Sequence, residues 1–264
     1  MPYLEEFYQQ TFVIQISGDL LEIHNSRVIE DLALLQQVGI RIVLVHGAEA
    51  QIRKLLSAEG HDYQTEDGIF VAEKNHLPLI EQAISSTNWH LLSKLRSCGR
   101  QMQPISGHFL FAEKKAFAGN FASHCSGNVC GLELETLRQS ITDSKLIILP
   151  PFSLGEKGRL WILDPNQVAF EVATRLRAKK FIVLDTLTLP QIDGSDSLEM
   201  TTESVQQWLK KNPDLPSSQR LQLNVLTEAC VHGVERCHLL DGRVEGALLA
   251  ELLTPKGAGV MITN

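Results

Sequence analysis

The sequence predicts an α/β protein with a mainly parallel central sheet and helices on both faces. Three observations lead there: short continuous apolar runs rich in β-branched residues, helical-period segments separating those runs, and turn residues closing the first of them. A strand covered on both faces needs no polar alternation, so continuous runs of this kind mark buried parallel strands.

The first run is TFVIQI, Thr11 to Ile16, closed by Ser17-Gly18-Asp19. From Ser26 onward Val28, Ile29, Leu32, Leu34 and Leu35 recur at helical spacing, and Gly39 stands where that helix should stop. IRIVLV, residues 40–45, is the second run; it ends at His46-Gly47, and helical spacing resumes over Gln51 to Leu56. KLIILP (145–150), KFIVLD (180–185) and CHLL (237–240) are further strands, with helices predicted over 167–177 and 244–253. Residues 107–121 read as an antiparallel hairpin whose arms, His108–Phe111 and Ala116–Ala118, flank the polar Glu113-Lys114-Lys115. Residues 187–214 read as a loop carrying one helix, Thr202 to Leu209. One continuous sheet is expected across a single domain, 1–264, with an N-terminal lobe of about 1–175 and a C-terminal lobe of about 176–264. In such a sheet ligands bind beyond the strand C-termini, which directs attention to Ser17–Asp19, His46–Ala50, the stretch after Pro150 and the loop after Asp185.

Composition narrows the function. The chain has 264 residues, 44% hydrophobic and 21% charged, and 24 Lys+Arg against 31 Asp+Glu give a net charge of −7. An acidic chain without a basic cluster argues against nucleic acid or an anionic membrane as a partner. The start, MPYLEEFYQQ, has no signal-peptide character, and an odd count of 5 cysteines fits reduced thiols, so a cytoplasmic protein is expected. His124, Cys125 and Cys130 find no second pair at zinc-like spacing, so no metal site is expected.

The strand tips also carry a resemblance. FVIQISG, VLVHGAEAQI and ERCHLLDGRVEGALLAELLTPKGAGVMI resemble the opening strand, the phosphate loop and the C-terminal segment of the amino-acid kinase family, in the form found in N-acetylglutamate kinases. RCHLL, GALLAELL and the stretch around His124–Ser126 resemble the kinase-like domain of bacterial N-acetylglutamate synthases more closely. The resemblance implies the carbamate kinase-like fold, a place in arginine biosynthesis, and a homo-oligomer, either hexamer or dimer. Those synthases carry an acetyltransferase domain after the kinase-like one; this sequence holds no such domain, so a separate acetyltransferase is the expected partner.

Carried over position by position, the resemblance predicts lost catalysis. The family's first lysine falls on Gln15, its organising aspartate on Asn166 and its second lysine near Gln222. The substrate arginine falls on Phe70, and the three loop glycines fall on Gly47, Ala48 and Glu49. Phosphoryl transfer depends on cations and amides around the migrating charge, and Glu49 adds a carboxylate there. Gly18, His46, Gly47 and Asp185 remain as pocket positions, with Gly18, Gly47 and His46 reading first as steric or packing requirements and Asp185 also as a turn residue. The arginine-inhibited members' ligand positions fall on Tyr3, His238, Glu251 and Gly257. A carboxylate can pair a guanidinium through two parallel hydrogen bonds, and an aromatic ring can cover its face. His238 and Tyr3 read equally as core packing, and Glu251 also reads as a solvated helix residue. The expectation is a catalytically degenerate, arginine-binding regulatory domain. The alternative is an active N-acetylglutamate kinase, using ATP and magnesium on N-acetyl-L-glutamate, with Lys54 or Lys94 as replacement cations.

Overall fold

The computed structural model describes residues 2–23, 27–99, 103–104, 109–119, 121, 123–144, 146–187, 198–255 and 257–264. In chain order its elements begin with α1 (Pro2–Phe7), β1 (Thr11–Ile16), α2 (Gly18–Leu21), α3 (Val28–Gln37), β2 (Arg41–His46) and α4 (Glu49–Ala58). Next come β3 (Thr65–Glu66), β4 (Ile69–Phe70), α5 (Leu77–Ser97), β5 (Gln103–Pro104), β6 (Leu110–Lys114) and β7 (Ser126–Leu132). The middle of the chain adds α6 (Leu134–Ser144), β8 (Leu146–Leu149), β9 (Phe152–Leu154), β10 (Leu160–Leu163), α7 (Pro165–Leu176) and β11 (Lys180–Asp185). The last elements are β12 (Leu198–Thr201), α8 (Thr202–Lys211), α9 (Ser217–Val231), β13 (Arg236–Asp241), α10 (Ala247–Leu253) and β14 (Val260–Thr263).

Eight of these strands form one sheet in the order β12-β14-β13-β11-β1-β2-β8-β5, parallel except where β14 runs against β13. Its central strands β1, β2, β8, β11 and β13 are buried on both sides, and their side chains sort by period two. Val13, Val43, Ile147, Phe181, Val183 and Leu239 join α6, α7 and α9 in one core. Phe12, Ile14, Leu44, Ile148, Ile182 and Leu240 join α3, α5 and α10 in the other. Each such side chain contributes roughly 1.5–3 kcal/mol by leaving water, which is why these runs carry almost no polar residues.

A second sheet, β6-β7-β10-β9, corrects the predicted hairpin: β6 pairs antiparallel with β7, and Glu113 and Lys114 lie inside β6 opposite Asn128 and Gly127. Both residues are exposed at the end of β6, so polar residues fit a strand there and do not signal a turn. His108 lies outside the described residues, and Ala116–Ala118 form no strand. The stretch after Leu187 also holds a strand, β12, which pairs parallel with β14.

Helix starts follow local chemistry. Asp164 caps α7, accepting from the Gln167 amide at 2.9 Å with Pro165 at the first position, and Thr201 caps α8 through the Ser204 amide at 3.2 Å. The His124–Ser126 segment is scaffolding: Cys125 N donates to Ala72 O and Ser126 Oγ accepts from Ala72 N, each at 2.8 Å. Burial pushes the Cys125 thiol up to about 11, which makes it unreactive as a nucleophile.

Candidate functional sites: a strand-tip cleft and a buried ionic triad

The first site lies at the C-terminal ends of β1 and β11, where the central parallel strands open between α4, α7 and α9. Its cavity, about 670 Å³, takes in Gln15, Phe70, Asn166, Asp185 and Gln222, five of the positions expected from the sequence. Each is placed by a different element: β1, β4, α7, β11 and α9. Asp185 accepts from the Gln222 amide at 2.5 Å and from the Thr186 amide at 2.7 Å. The side-chain NH₂ of Asn166 is spent in the same way on Asp164. Gln15, Asn166 and Gln222 each retain a buried side-chain oxygen without a hydrogen-bond partner among the described residues.

The charge of this cleft is negative. Asp19, Glu49, Asp67, Asp164 and Asp185 line it, against Arg53 and Lys115. Both cations have partners: Arg53 pairs with Asp19 at 3.2 Å, and Lys115 donates to Asn128 at 3.0 Å. Neither Lys54 nor Lys94 lines the cavity, so the replacement cations considered from the sequence are not in place. Burial raises the Asp164 carboxyl, and burial raises Glu49 to about 7, with Asp164 and Asp185 adding to the rise and the Gly18 amide opposing it.

Gly18 and Gly47 do not line the cavity; the Glu49 carboxylate stands in front of both. A Cβ at Gly18 would lie 2.7 Å from Glu49 Oε2, and one at Gly47 would lie 2.6 Å from Oε1, both inside van der Waals contact. The amide of Gly18 donates to Oε2 at 2.8 Å. His46 is fully buried behind the cleft, its Nδ1 3.0 Å from Gly47 O, and burial lowers it to about 4. It is therefore a neutral packing group. Phe70 stacks on Tyr63 at 4.5 Å, and Arg53 lies 5.0 Å over the other ring of that pair, Tyr63. The position expected to bind a substrate carboxylate is thus an aromatic wall. These residues do not fit a triphosphate: the amide corner is filled, the walls are acidic, and the cations are engaged.

The second site lies at the opposite end of the same strands. His238, 1% exposed on β13, places Nδ1 at 2.6 Å from Glu251 Oε1 of α10, and its Nε2 at 3.0 Å from Lys180 Nζ of β11. Glu251 Oε2 accepts from the Ala258 amide at 2.6 Å. Gly257, just before that amide, has φ +67, a conformation that favours glycine. His238, Glu251 and Gly257, grouped from the sequence by the resemblance, lie at one place in the structure. Tyr3 lies on α1, and its side chain is outside the described residues. Phe7 at the end of α1 is buried edge-on to Phe12, and Lys180 Nζ lies 5.3 Å from the Phe7 ring.

Burial lowers Lys180 to about 8, with Arg236 adding to the fall and Glu251 opposing it. Burial likewise lowers His238 despite its bond to Glu251. Burial alone would raise Glu251, but the His238 bond, the Ala258 amide and Lys180 together hold it below the ordinary carboxylate range. The result is an ionised carboxylate in a nearly closed site.

A mainly parallel sheet between two helical layers, opening onto a cleft at its strand tips, defines an α/β domain of the kinase-like fold. The chain belongs to the amino acid kinase family, whose model matches residues 10–186. Among curated proteins it is 27% identical to an amino-acid acetyltransferase of Shewanella oneidensis over 275 residues, covering 100% of this chain and 62% of that protein. It is 26% identical to the one of Escherichia coli K12, with 99% and 62% covered. The chain therefore spans less than two thirds of the length of these relatives. Among solved structures, N-acetylglutamate synthase from Neisseria gonorrhoeae, complexed with coenzyme A and N-acetyl-glutamate, superposes with a TM-score of 0.91 at 26% identity over 100% of this chain and 61% of that one. The same protein complexed with coenzyme A and L-arginine gives 0.87 at 26% identity over 99% and 63%. Carbamate kinase from Giardia lamblia, at 10% identity and TM-score 0.70 over 97% and 99%, shares the fold. No helix among the described residues is long and apolar enough to cross a membrane.

Proposed function

We propose that this chain is a catalytically degenerate kinase-like domain of the N-acetylglutamate synthase type, which binds L-arginine and acts as a regulator in arginine biosynthesis. The observation that carries this is Glu251, an ionised carboxylate held by His238, Lys180 and the Ala258 amide beneath α1. A carboxylate has about four acceptor positions, and two of these are used internally, so a guanidinium can take the others. Gly257 leaves the loop backbone open to the amino-acid end of the ligand, and Tyr3 is the position that the resemblance implies for covering the guanidinium face. The acidic cleft supports the other half of the reading, because ATP and magnesium, with N-acetyl-L-glutamate as acceptor, meet no lysine at Gln15 or Gln222 there.

In this reading the domain is one unit of two lobes, joined near residue 175, works in the cytoplasm as a homo-oligomer, dimer or hexamer, and passes the arginine signal to an acetyltransferase. Isothermal titration with L-arginine tests the binding: saturable heat is expected, and its absence removes the proposal. A coupled ADP-release assay with ATP and N-acetylglutamate tests the degeneracy, with turnover no greater than background expected.

A further inference from the structure

We propose that the Glu49 carboxylate is a built-in surrogate for phosphate, filling the glycine-walled corner between the tips of β1 and β2 and so keeping anionic ligands out of the cleft. The inference rests on the reading that the cleft no longer transfers phosphoryl groups, and it explains how the fold tolerates that loss. Gly47 N donates to Ile16 O at 2.7 Å, so the corner presents the Gly18 amide together with the amide of Glu49 itself, and the two glycines leave room for an anion to reach them. Here the anion comes from the chain itself.

Three features separate this from an ordinary helix cap. A capping carboxylate serves only the first turn of its own helix, whereas Glu49 bonds its own amide and also reaches 31 residues back to the Gly18 amide on another strand tip. Its two oxygens stand where the side chains of both glycines would otherwise be. Two further bonds fix the same pair of tips: Gln51 Nε2 donates to Gly18 O at 3.1 Å, and Arg53 pairs with Asp19 at 3.2 Å. The tips are thereby held around a carboxylate, with Asp164 and Asp185 on the far walls of the cleft. An incoming phosphate would have to displace one anion and approach two more.

The test is titration of inorganic pyrophosphate into three proteins: the unaltered chain, Glu49→Ala, and Glu49→Ala combined with Gly47→Val. The unaltered chain should give no heat. Glu49→Ala should bind with an affinity at least about tenfold above the unaltered chain, a difference of about 1.4 kcal/mol, with a matching rise in melting temperature. The added valine should abolish that gain, because its side chain enters the vacated corner. If Glu49→Ala does not fold, Glu49→Ser, which retains a hydroxyl for the Gly18 amide, takes its place. Pyrophosphate binding by the unaltered chain as tight as by the variant overturns the proposal. So does a folded variant that binds none. Turnover of ATP by the unaltered chain would instead remove the reading of a degenerate cleft, so the two failures are distinguishable.

Discussion

Lys180 and His238 share one proton-ordered contact: Lys180 Nζ lies 3.0 Å from Nε2, and the other ring nitrogen lies 2.6 Å from Glu251. An ammonium only donates, so Nε2 must accept, and the neutral ring must carry its proton on Nδ1 and donate it to the carboxylate. The three residues therefore run in one direction, from cation through neutral ring to anion.

Replacing Glu251 with glutamine keeps an acceptor for the Ala258 amide but removes the charge. Charge-assisted hydrogen bonds contribute ~1.5–3 kcal/mol, so arginine affinity should fall by roughly ten- to a hundredfold in a titration. The circular dichroism spectrum should be unchanged.

Lys180 gives a pH signature. Its pKa falls to about 8 from the ordinary 10.5. Between those values the unfolded chain binds more protons than the folded one, so stability should rise with pH across that window. Urea denaturation at a series of pH values measures the slope, and Lys180→Met should flatten it.

Glu49 gives the opposite slope. Burial raises its carboxyl to about 7 from 4.5, with its own amide and that of Gly18 opposing the rise and Asp164 and Asp185 adding to it. Here the folded chain binds the extra proton, so stability should fall as pH rises from about 4.5 to about 7. Glu49→Gln should remove most of that fall in the same denaturation series.

Phe181, fully buried in the middle of the sheet, tests the core. Phe181→Ala should cost about 3–5 kcal/mol, from lost burial plus the cavity left behind. The readout is the midpoint of urea denaturation.

The central strands were legible because a run buried on both faces cannot conceal itself: TFVIQI, KFIVLD and CHLL lie in β1, β11 and β13. The hairpin failed because Glu113 and Lys114, which point to opposite faces of β6, are both exposed at its end, where polarity carries no turn information. β12 was hidden for another reason, since a four-residue strand flanked by polar loops has too little periodicity to register. In the cleft, Gln15, Phe70, Asn166 and Gln222 could be found only by matching them to a family pattern; nothing local marks them. Tyr63 and Arg53 are set by tertiary packing, and no sequence spacing points to them. Lys180 had one available signal, a lysine opening an otherwise apolar run, and it reads equally well as an exposed strand end. Only the structure, with Lys180 3% exposed beside His238, distinguishes the two.

β11 begins with Lys180 beside the ionic triad and ends with Asp185 in the cleft. Six residues of extended chain, about 16 Å from first to last at ~3.3 Å per step, thus connect two chemically different chambers. Neighbouring strands grip that rod on either edge, and apolar layers clamp it above and below, so it has little freedom to bend. Any shift of that rod along its axis would carry Lys180 and Asp185 together, because both belong to the same six residues.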